Sequence, residues 1–554
     1  MAITQINPNS FQASIAVDWK NKQALVVDDF YSFRSNVKEM LRSFGLMHID
    51  EAGSGDDAIA KIAQKKYHVI LCDYNLGDGK DGQQVLEEAR YQGYVDHSTI
   101  YIMITAENTI NMVMGALEYE PDDYLIKPFP KGVLERKLRD WVLKKEDLKG
   151  IEKALKEEDY GKVVALCDAL IDGNPKNLAQ FLKIKGESLI KKGDYPGAAA
   201  FYEKLLTMGN LPWALLGLGK IRFIIGEYDG AEAIFNNIIG QNEKIVTAYD
   251  WLAKVYEKKG DLAAAQEILQ RAVSISPKAI LRQKTLGDIA YRNMDLTVAE
   301  KSLREVVKQG KNSVFKRPSD YTSLAKLLTD KDNQEEGLKV LQDAGREFSD
   351  NREARLQISA AEIVALKKMK RGTEAQKIME KVLKISSQSS ERLLTDTELE
   401  LAKALILMGD ENGGNAVIKR LIQNNHEDQA LMAGVQAVFK ELNMEDKGQE
   451  MIAALRDEVI VINNQGVKFV REGNLRGALE LFDKITEQLP DNKVINANAV
   501  HALILYMKQR GSEPELLKKV KEYLERIQGI DPSYKDLKIL ANNYVELVRG
   551  GIRT

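Results

Sequence analysis

Cysteine is scarce. The chain of 554 residues has two, Cys72 and Cys167, and neither belongs to a C-x-x-C pair. That excludes a disulfide framework and a cysteine-built zinc cluster, and it points to a reduced, cytoplasmic setting. Long apolar runs are also missing. Nothing approaches the ~20 consecutive apolar residues of a membrane-spanning helix, and the opening segment MAITQINPNSFQASIAVDWK has neither the basic start nor the apolar middle of a signal peptide. A soluble protein with no membrane insertion is expected. An excess of one charge sign is lacking too: 79 Lys and Arg against 82 Asp and Glu leave a net charge of -3. The chain thus has no basic field of the kind that holds DNA or RNA, and no nucleic-acid partner is expected. Histidine is sparse, with five residues scattered at His48, His68, His97, His426 and His501, which argues against histidine-based catalysis. A phosphate-cradling G-x-x-x-x-G-K-[ST] loop does not occur.

What is present divides at about residue 145, as a chain too long for one ordinary core requires. In the first part, short apolar runs alternate with amphipathic stretches. Strands are predicted at Ala24–Asp29, His48–Ala52, His68–Asp73, Ile100–Thr105 and Tyr124–Lys127. Near-continuous apolar strands separated by helical segments imply a parallel sheet covered on both faces, a doubly wound α/β domain. In such sheets functional groups gather beyond the carboxyl ends of the strands. Those ends carry Asp28 and Asp29, then Asp73, Thr105 and Lys127. Three converging carboxylates repel one another and call for a hard divalent cation; an all-oxygen set with open positions suits Mg²⁺.

The acidic pair at 28–29, Asp73 after the third strand, Thr105 with Ala106, and DDYLIKPF from Asp122 to Phe129 stand in the order found in receiver domains of two-component response regulators. The stretch from about Lys22 to Lys144 resembles that family. The resemblance implies a flavodoxin-like fold and a phosphoryl group received on Asp73 from a sensor histidine kinase. It implies Mg²⁺ held by Asp28 or Asp29, Asp73 and the carbonyl of Asn75. Lys127 and Thr105 would contact the phosphoryl oxygens, and Tyr124 would be the switch aromatic whose rotamer follows Thr105. Phosphoryl transfer asks a protein mainly to position groups and neutralise charge, which a metal, an ammonium and a hydroxyl do. The family commonly has a proline four residues after the aspartate and a glycine eight after. Here Gly77 replaces the proline and the glycine is Gly82, so the loop is one residue longer.

After Gly150 a phrase recurs: GESLIKKGDYPGAAAFYEKLL from Gly186, GKIRFIIGEYDGAEAIFNNII from Gly219, AKVYEKKGDLAAAQEILQRAV from Ala253 and GDIAYRNMDLTVAEKSLREVV from Gly287, at spacings of 33, 34 and 34. It returns as GVKFVREGNLRGALELFDKITEQLP from Gly466. Each unit reads as two helices with small residues where they cross. The pattern resembles the tetratricopeptide repeat, whose period is about 34 residues. About nine to eleven units are expected over residues 146–554, ending in a C-terminal capping helix, after a receiver at 22–145 and a tail at 1–21. The signal weakens after Asn312 and after Ile385, where SVFKRPSD and SSQSSERLLTD lengthen the connections. Stacked helix pairs offer an extended protein-binding surface. Asn464 and Asn498, 34 residues apart, are candidates to hold a peptide backbone there.

A regulator that is not an enzyme is the expected whole: phosphorylation of Asp73 controls protein binding by the repeats. The alternative is a phosphate sink that docks and regulates its own kinase. No proline interrupts KGVLERKLRDWVLKKEDLKGIEKALKEEDYGKV, so the last receiver helix is expected to run almost directly into the first repeat helix, with Gly150 as the break and the helix as conduit. Pairing of two receivers into a homodimer is the other route.

Overall fold

The computed structural model describes residues 18–106, 121–146, 148–173, 178–386, 393–532 and 534–551. The chain forms two compact units, one running to Asp320 and one starting at Tyr321. Of the expected tail at 1–21, only residues 18–21 are described, and Trp19 is buried against Val37, Leu41 and Leu46. Most of the segment SSQSSERLL lies outside the described residues.

The first unit opens with a five-stranded parallel sheet: β1 Gln23–Val27, β2 His48–Ala52, β3 Val69–Asp73, β4 Ile100–Thr105 and β5 Asp123–Ile126, in the order β2-β1-β3-β4-β5. Two-residue periodicity divides the strand side chains between two cores. Leu25, Val27, Ile70, Cys72, Tyr101 and Met103 face α2 (Gly55–Gln64) and α3 (Gly82–Tyr91). Ala24, Val26, Val69, Leu71, Ile102 and Ile104 face α1 (Tyr31–Ser43) and α4 (Lys131–Glu146). Burial on both faces explains why these strands read as unbroken apolar runs rather than alternating ones. All five predicted strands form, two with the predicted bounds and three with ends shifted by one or two residues, and the doubly wound expectation holds. Residues 107–120, between β4 and β5, lie outside the described set.

The last helix of the sheet domain is followed almost directly by the first repeat helix, as expected, but the break is not at Gly150. Helix α4 ends at Glu146 and α5 spans Lys149–Lys156, with Leu148 in a turn between them. Gly150 lies inside α5. The break comes before the glycine.

From α5 onward the described chain is all helix, in pairs: α6 Tyr160–Asp172, α7 Leu178–Lys191, α8 Tyr195–Met208, α9 Pro212–Ile224, α10 Tyr228–Gln241, α11 Val246–Lys259, α12 Leu262–Ile275, α13 Ile280–Arg292 and α14 Leu296–Gly310 in or leading to the end of the first unit. The second continues the pattern with α15 Pro318–Asp330, α16 Gln334–Glu347, α17 Arg352–Lys368, α18 Gly372–Ser386, α19 Thr395–Met408, α20 Glu411–Asn424 and α21 Gln429–Glu441. Helix α22, Glu445–Arg471, is twice the usual length, and α23 Leu475–Gln488, α24 Lys493–Arg510, α25 Pro514–Ile530 and α26 Leu537–Gly551 close the chain.

The crossing positions are small because the facing ring needs the room. A methyl group added at Gly186 would come within 2.3 Å of the Tyr202 ring system, and one at Gly466 within 2.5 Å of Phe482. Ten of the turns pass through one left-handed residue, and six of these are followed by a side-chain cap. The left-handed positions are 158, 193, 226, 260, 294, 332, 370, 409, 443 and 473. Asp159, Asp194, Asp261, Asp295, Asp410 and Asn474 then accept a hydrogen bond from the backbone N–H three residues on, each such cap contributing about 1 kcal/mol. The intervals are 33, 34 and 34 from 193 to 294, then 38, 38 and 39 to 409. The repeats therefore persist where the 34-residue signal fades: the connections from α14 to α15 and from α18 to α19 are longer, and α17 itself runs to 17 residues. No described helix is long and apolar enough to cross a membrane.

Candidate phosphoryl-acceptor site

Parallel register brings the strand ends together. Val27 pairs with Cys72, Asp73 with Ile104, and Thr105 with Ile126, so the next residues, Asp28 and Lys127, sit beside Asp73 and Thr105. Lys127 Nζ lies 2.6 Å from Asp28 Oδ2 and 3.0 Å from Asp73 Oδ2. One carboxylate oxygen from each of Asp28, Asp29 and Asp73 lies within 4.8 Å of the others. Asp28 and Asp73 are buried, whereas Asp29 is exposed.

Burial raises the Asp73 carboxyl, Lys127 pulls it back, and Asp28 adds to the rise, leaving it at about 6. Burial would lower Lys127, but its bonds to Asp28 and Asp73 dominate and hold it above the ordinary lysine value. The ammonium also lies 4.2 Å from the centre of the Phe33 ring. Three carboxylates against one ammonium is an oxygen-rich set with excess negative charge, and it fits a hard divalent cation.

The supports were not picked out by the sequence. Arg34 Nη1 donates to the backbone carbonyl of Asp28 at 2.6 Å and to that of Asp29 at 3.3 Å, clamping the acidic turn. Its only signal is an arginine one turn into α1. Asp28 Oδ1 accepts from Phe30 N–H at 2.9 Å. Thr105 is buried at the end of β4, and Lys127 N–H donates to its carbonyl at 2.8 Å. Tyr124 is half-buried, and its hydroxyl has no hydrogen-bond partner among the described residues. Asn75 stands exposed at the start of the loop after Asp73. In that loop Gly77 has φ +71°, a value closed to the proline common at this position, whose ring fixes φ near about -65°.

The groove candidates are not brought together as a pair. Asn498 Nδ2 donates to Asn463 Oδ1 at 2.8 Å, and Asn464 is exposed. Asn496 is buried and donates to the carbonyls of Pro490 and Asn492.

Residues 24–139 match the model of the response regulator receiver domain, and residues 246–278, covering α11 and α12, match a tetratricopeptide repeat. Chemotaxis protein CheY-3 of Vibrio cholerae is 31% identical over 119 residues, which is 22% of this chain and 90% of that protein. The chain belongs to the response-regulator family. Among solved structures, a receiver domain protein from Methanospirillum hungatei is 25% identical, with a TM-score of 0.21, over 23% of this chain and 96% of its own. MamA from Desulfovibrio magneticus is 21% identical, with a TM-score of 0.27, over 31% and 96%. The protein is thus a response regulator whose receiver is followed by a tetratricopeptide-repeat output region. Its acidic cluster lies where receivers typically hold Mg²⁺.

Proposed function

We propose that Asp73 accepts a phosphoryl group from a histidine kinase or another phosphoryl donor in the cytoplasm, and that this modification controls how the repeats bind a second protein. The chain acts as a signalling adaptor rather than as an enzyme. The observation that carries the reading is the buried Asp73 carboxylate, 3.0 Å from Lys127 and within 4.8 Å of two further acids.

In the transfer, an Asp73 carboxylate oxygen forms the new bond to phosphorus, and the bond from phosphorus to the donor atom breaks with its electron pair leaving on the donor. Lys127 neutralises charge on the incoming oxygens, and the Thr105 hydroxyl donates to one of them. Asp28, Asp29, Asp73 and the Asn75 carbonyl would hold Mg²⁺, which supplies further charge neutralisation. The phosphoryl oxygens need these cations because they add negative charge beside the buried carboxylates of Asp28 and Asp73.

The test is retention of proteins on the immobilised full chain, with and without beryllofluoride as a phosphoryl stand-in, for wild type and Asp73→Asn. The reading requires a retained set that changes with beryllofluoride for wild type alone. The same set under all four conditions would contradict it.

A further inference from the structure

Within the first unit, the segment that follows Asp73 is gripped by the repeats. Tyr74 N–H donates to Ile104 O at 2.8 Å, and Tyr74 O accepts from Gly82 N–H at 2.9 Å, closing the loop at its base. Lys278, in the turn between α12 and α13, donates to the Tyr74 hydroxyl at 3.3 Å and lies 3.8 Å from Asp81. Asn312, just past α14, donates to Gly79 O at 2.7 Å, and Gln84 donates to Gln309 O at 3.3 Å. Farther along α3, buried Ser313 and Glu87 meet at 3.4 Å, and the Tyr91 and Phe315 rings pack edge to face at 5.1 Å. The loop and one face of α3, at Gln84, Glu87 and Tyr91, thus lie on one repeat edge.

That edge is coupled to Asp73 without slack. A methyl group on Gly82 would stand 2.1 Å from the Asp73 carbonyl oxygen, so the first residue of α3 rests on the acceptor's own backbone. A phosphoryl group on Asp73 brings three oxygens into a site where the carboxylate already touches Lys127. The adjoining part built to yield is the loop with left-handed Gly77 and Gly79, which Asn312 and Lys278 hold from the other side. Helix α4, which stops before α5, is not a continuous lever between the same regions.

We propose that this contact is an intramolecular latch: the repeat edge formed by Lys278, Gln309, Asn312, Ser313 and Phe315 grips the β3–α3 segment, and phosphorylation of Asp73 loosens it. The released edge is then free for a partner. The latch rests on the reading of Asp73 as a phosphoryl acceptor. Linkage makes the coupling reciprocal, so breaking the latch must strengthen binding of a phosphoryl stand-in by the same factor by which that ligand loosens the latch.

The experiment titrates beryllofluoride in Mg²⁺ into the full-length wild type, Lys278→Glu and Asn312→Ala, with hydrogen exchange read at residues 74–91 and 309–315. Both changes are at accessible polar side chains, and two variants guard against a folding defect in either. Half-saturation about threefold lower or better in both variants, with faster exchange at 309–315 in saturated wild type, is the expected result. Equal half-saturation in all three proteins, with 309–315 unchanged, would overturn the latch while leaving the acceptor reading intact. Absence of any binding would overturn the acceptor reading, and the latch with it.

Discussion

At the carboxyl edge of the receiver sheet three carboxylates cluster beside one ammonium that pairs with two of them, whereas among the later repeats a buried lysine and three half-buried charges balance in equal number. Lys403, 4% exposed, lies 3.0 Å from Glu400 and 3.0 Å from Glu441, and Glu441 is in turn 2.5 Å from Lys326. Burial works against both kinds of charge there, yet the partners prevail: Lys403 ends above its ordinary value and Glu441 below it. In the receiver, burial prevails and Asp73 rises to about 6. A balanced buried network is a structural tie between neighbouring helices. An acid-heavy one is stabilised less by its own chain and keeps affinity for cations and for chemistry on the carboxylate. Burial of charge alone does not separate the two; the sign of the imbalance does.

The largest expected effect lies in the balanced cluster. Lys403→Met leaves the half-buried Glu400 and Glu441 without their shared cation and should destabilise the second unit by about 3 kcal/mol, the low end of the cost of breaking a buried pair. Adding Glu441→Gln to it should restore part of that loss. Urea unfolding followed by hydrogen exchange within residues 395–441 reads both. A loss under about 1 kcal/mol would mean that water, not the partners, stabilises these charges.

The receiver should behave in the opposite sense. In chelator, the folded Asp73 carboxyl holds its proton up to about pH 6, while an unfolded one, at the ordinary aspartate value of 3.8, loses it earlier. The folded state therefore binds more protons in that window, and this group's contribution to stability falls as pH rises through it, by about 3 kcal/mol in total. Asp73→Asn should remove that slope and be the more stable protein at neutral pH. Paired pH-dependent unfolding curves for the two proteins check the sign, and Mg²⁺ should shrink the difference.

The smallest effect concerns neither cluster. Replacing the Asp194 cap by Ala should cost about 1 kcal/mol, measured as a small shift in the unfolding midpoint, and should leave beryllofluoride binding unchanged.

The sheet and its acidic rim were legible because each inner strand is an apolar run ending in a polar residue, so strand ends and site residues are marked by the same letter change. The regular repeats were legible through glycine at the crossing and turn positions. The middle ones faded because their intervals stretch to 38 and 39 residues and their left-handed turns are held by Asp332 and Lys370 rather than by glycine. The break at Leu148 carries no glycine or proline, and the glycine that was visible, Gly150, is helical. Asn463, one residue and about 100° of helical rotation before the candidate Asn464, is the asparagine that meets Asn498, a contact that spacing along the chain does not distinguish. The grip on the β3–α3 segment joins residues 74–91 to residues 278–315, a separation that leaves no local pattern to read.

The central claim is that the acid-rich cluster exists for phosphoryl chemistry on Asp73. Intact-mass measurement of the full chain after incubation with a small phosphoryl donor tests it most directly, with Mg²⁺ or with chelator. The account predicts one added phosphoryl group on wild type in Mg²⁺, little in chelator, and none on Asp73→Asn in either. Equal labelling of wild type and Asp73→Asn would contradict it.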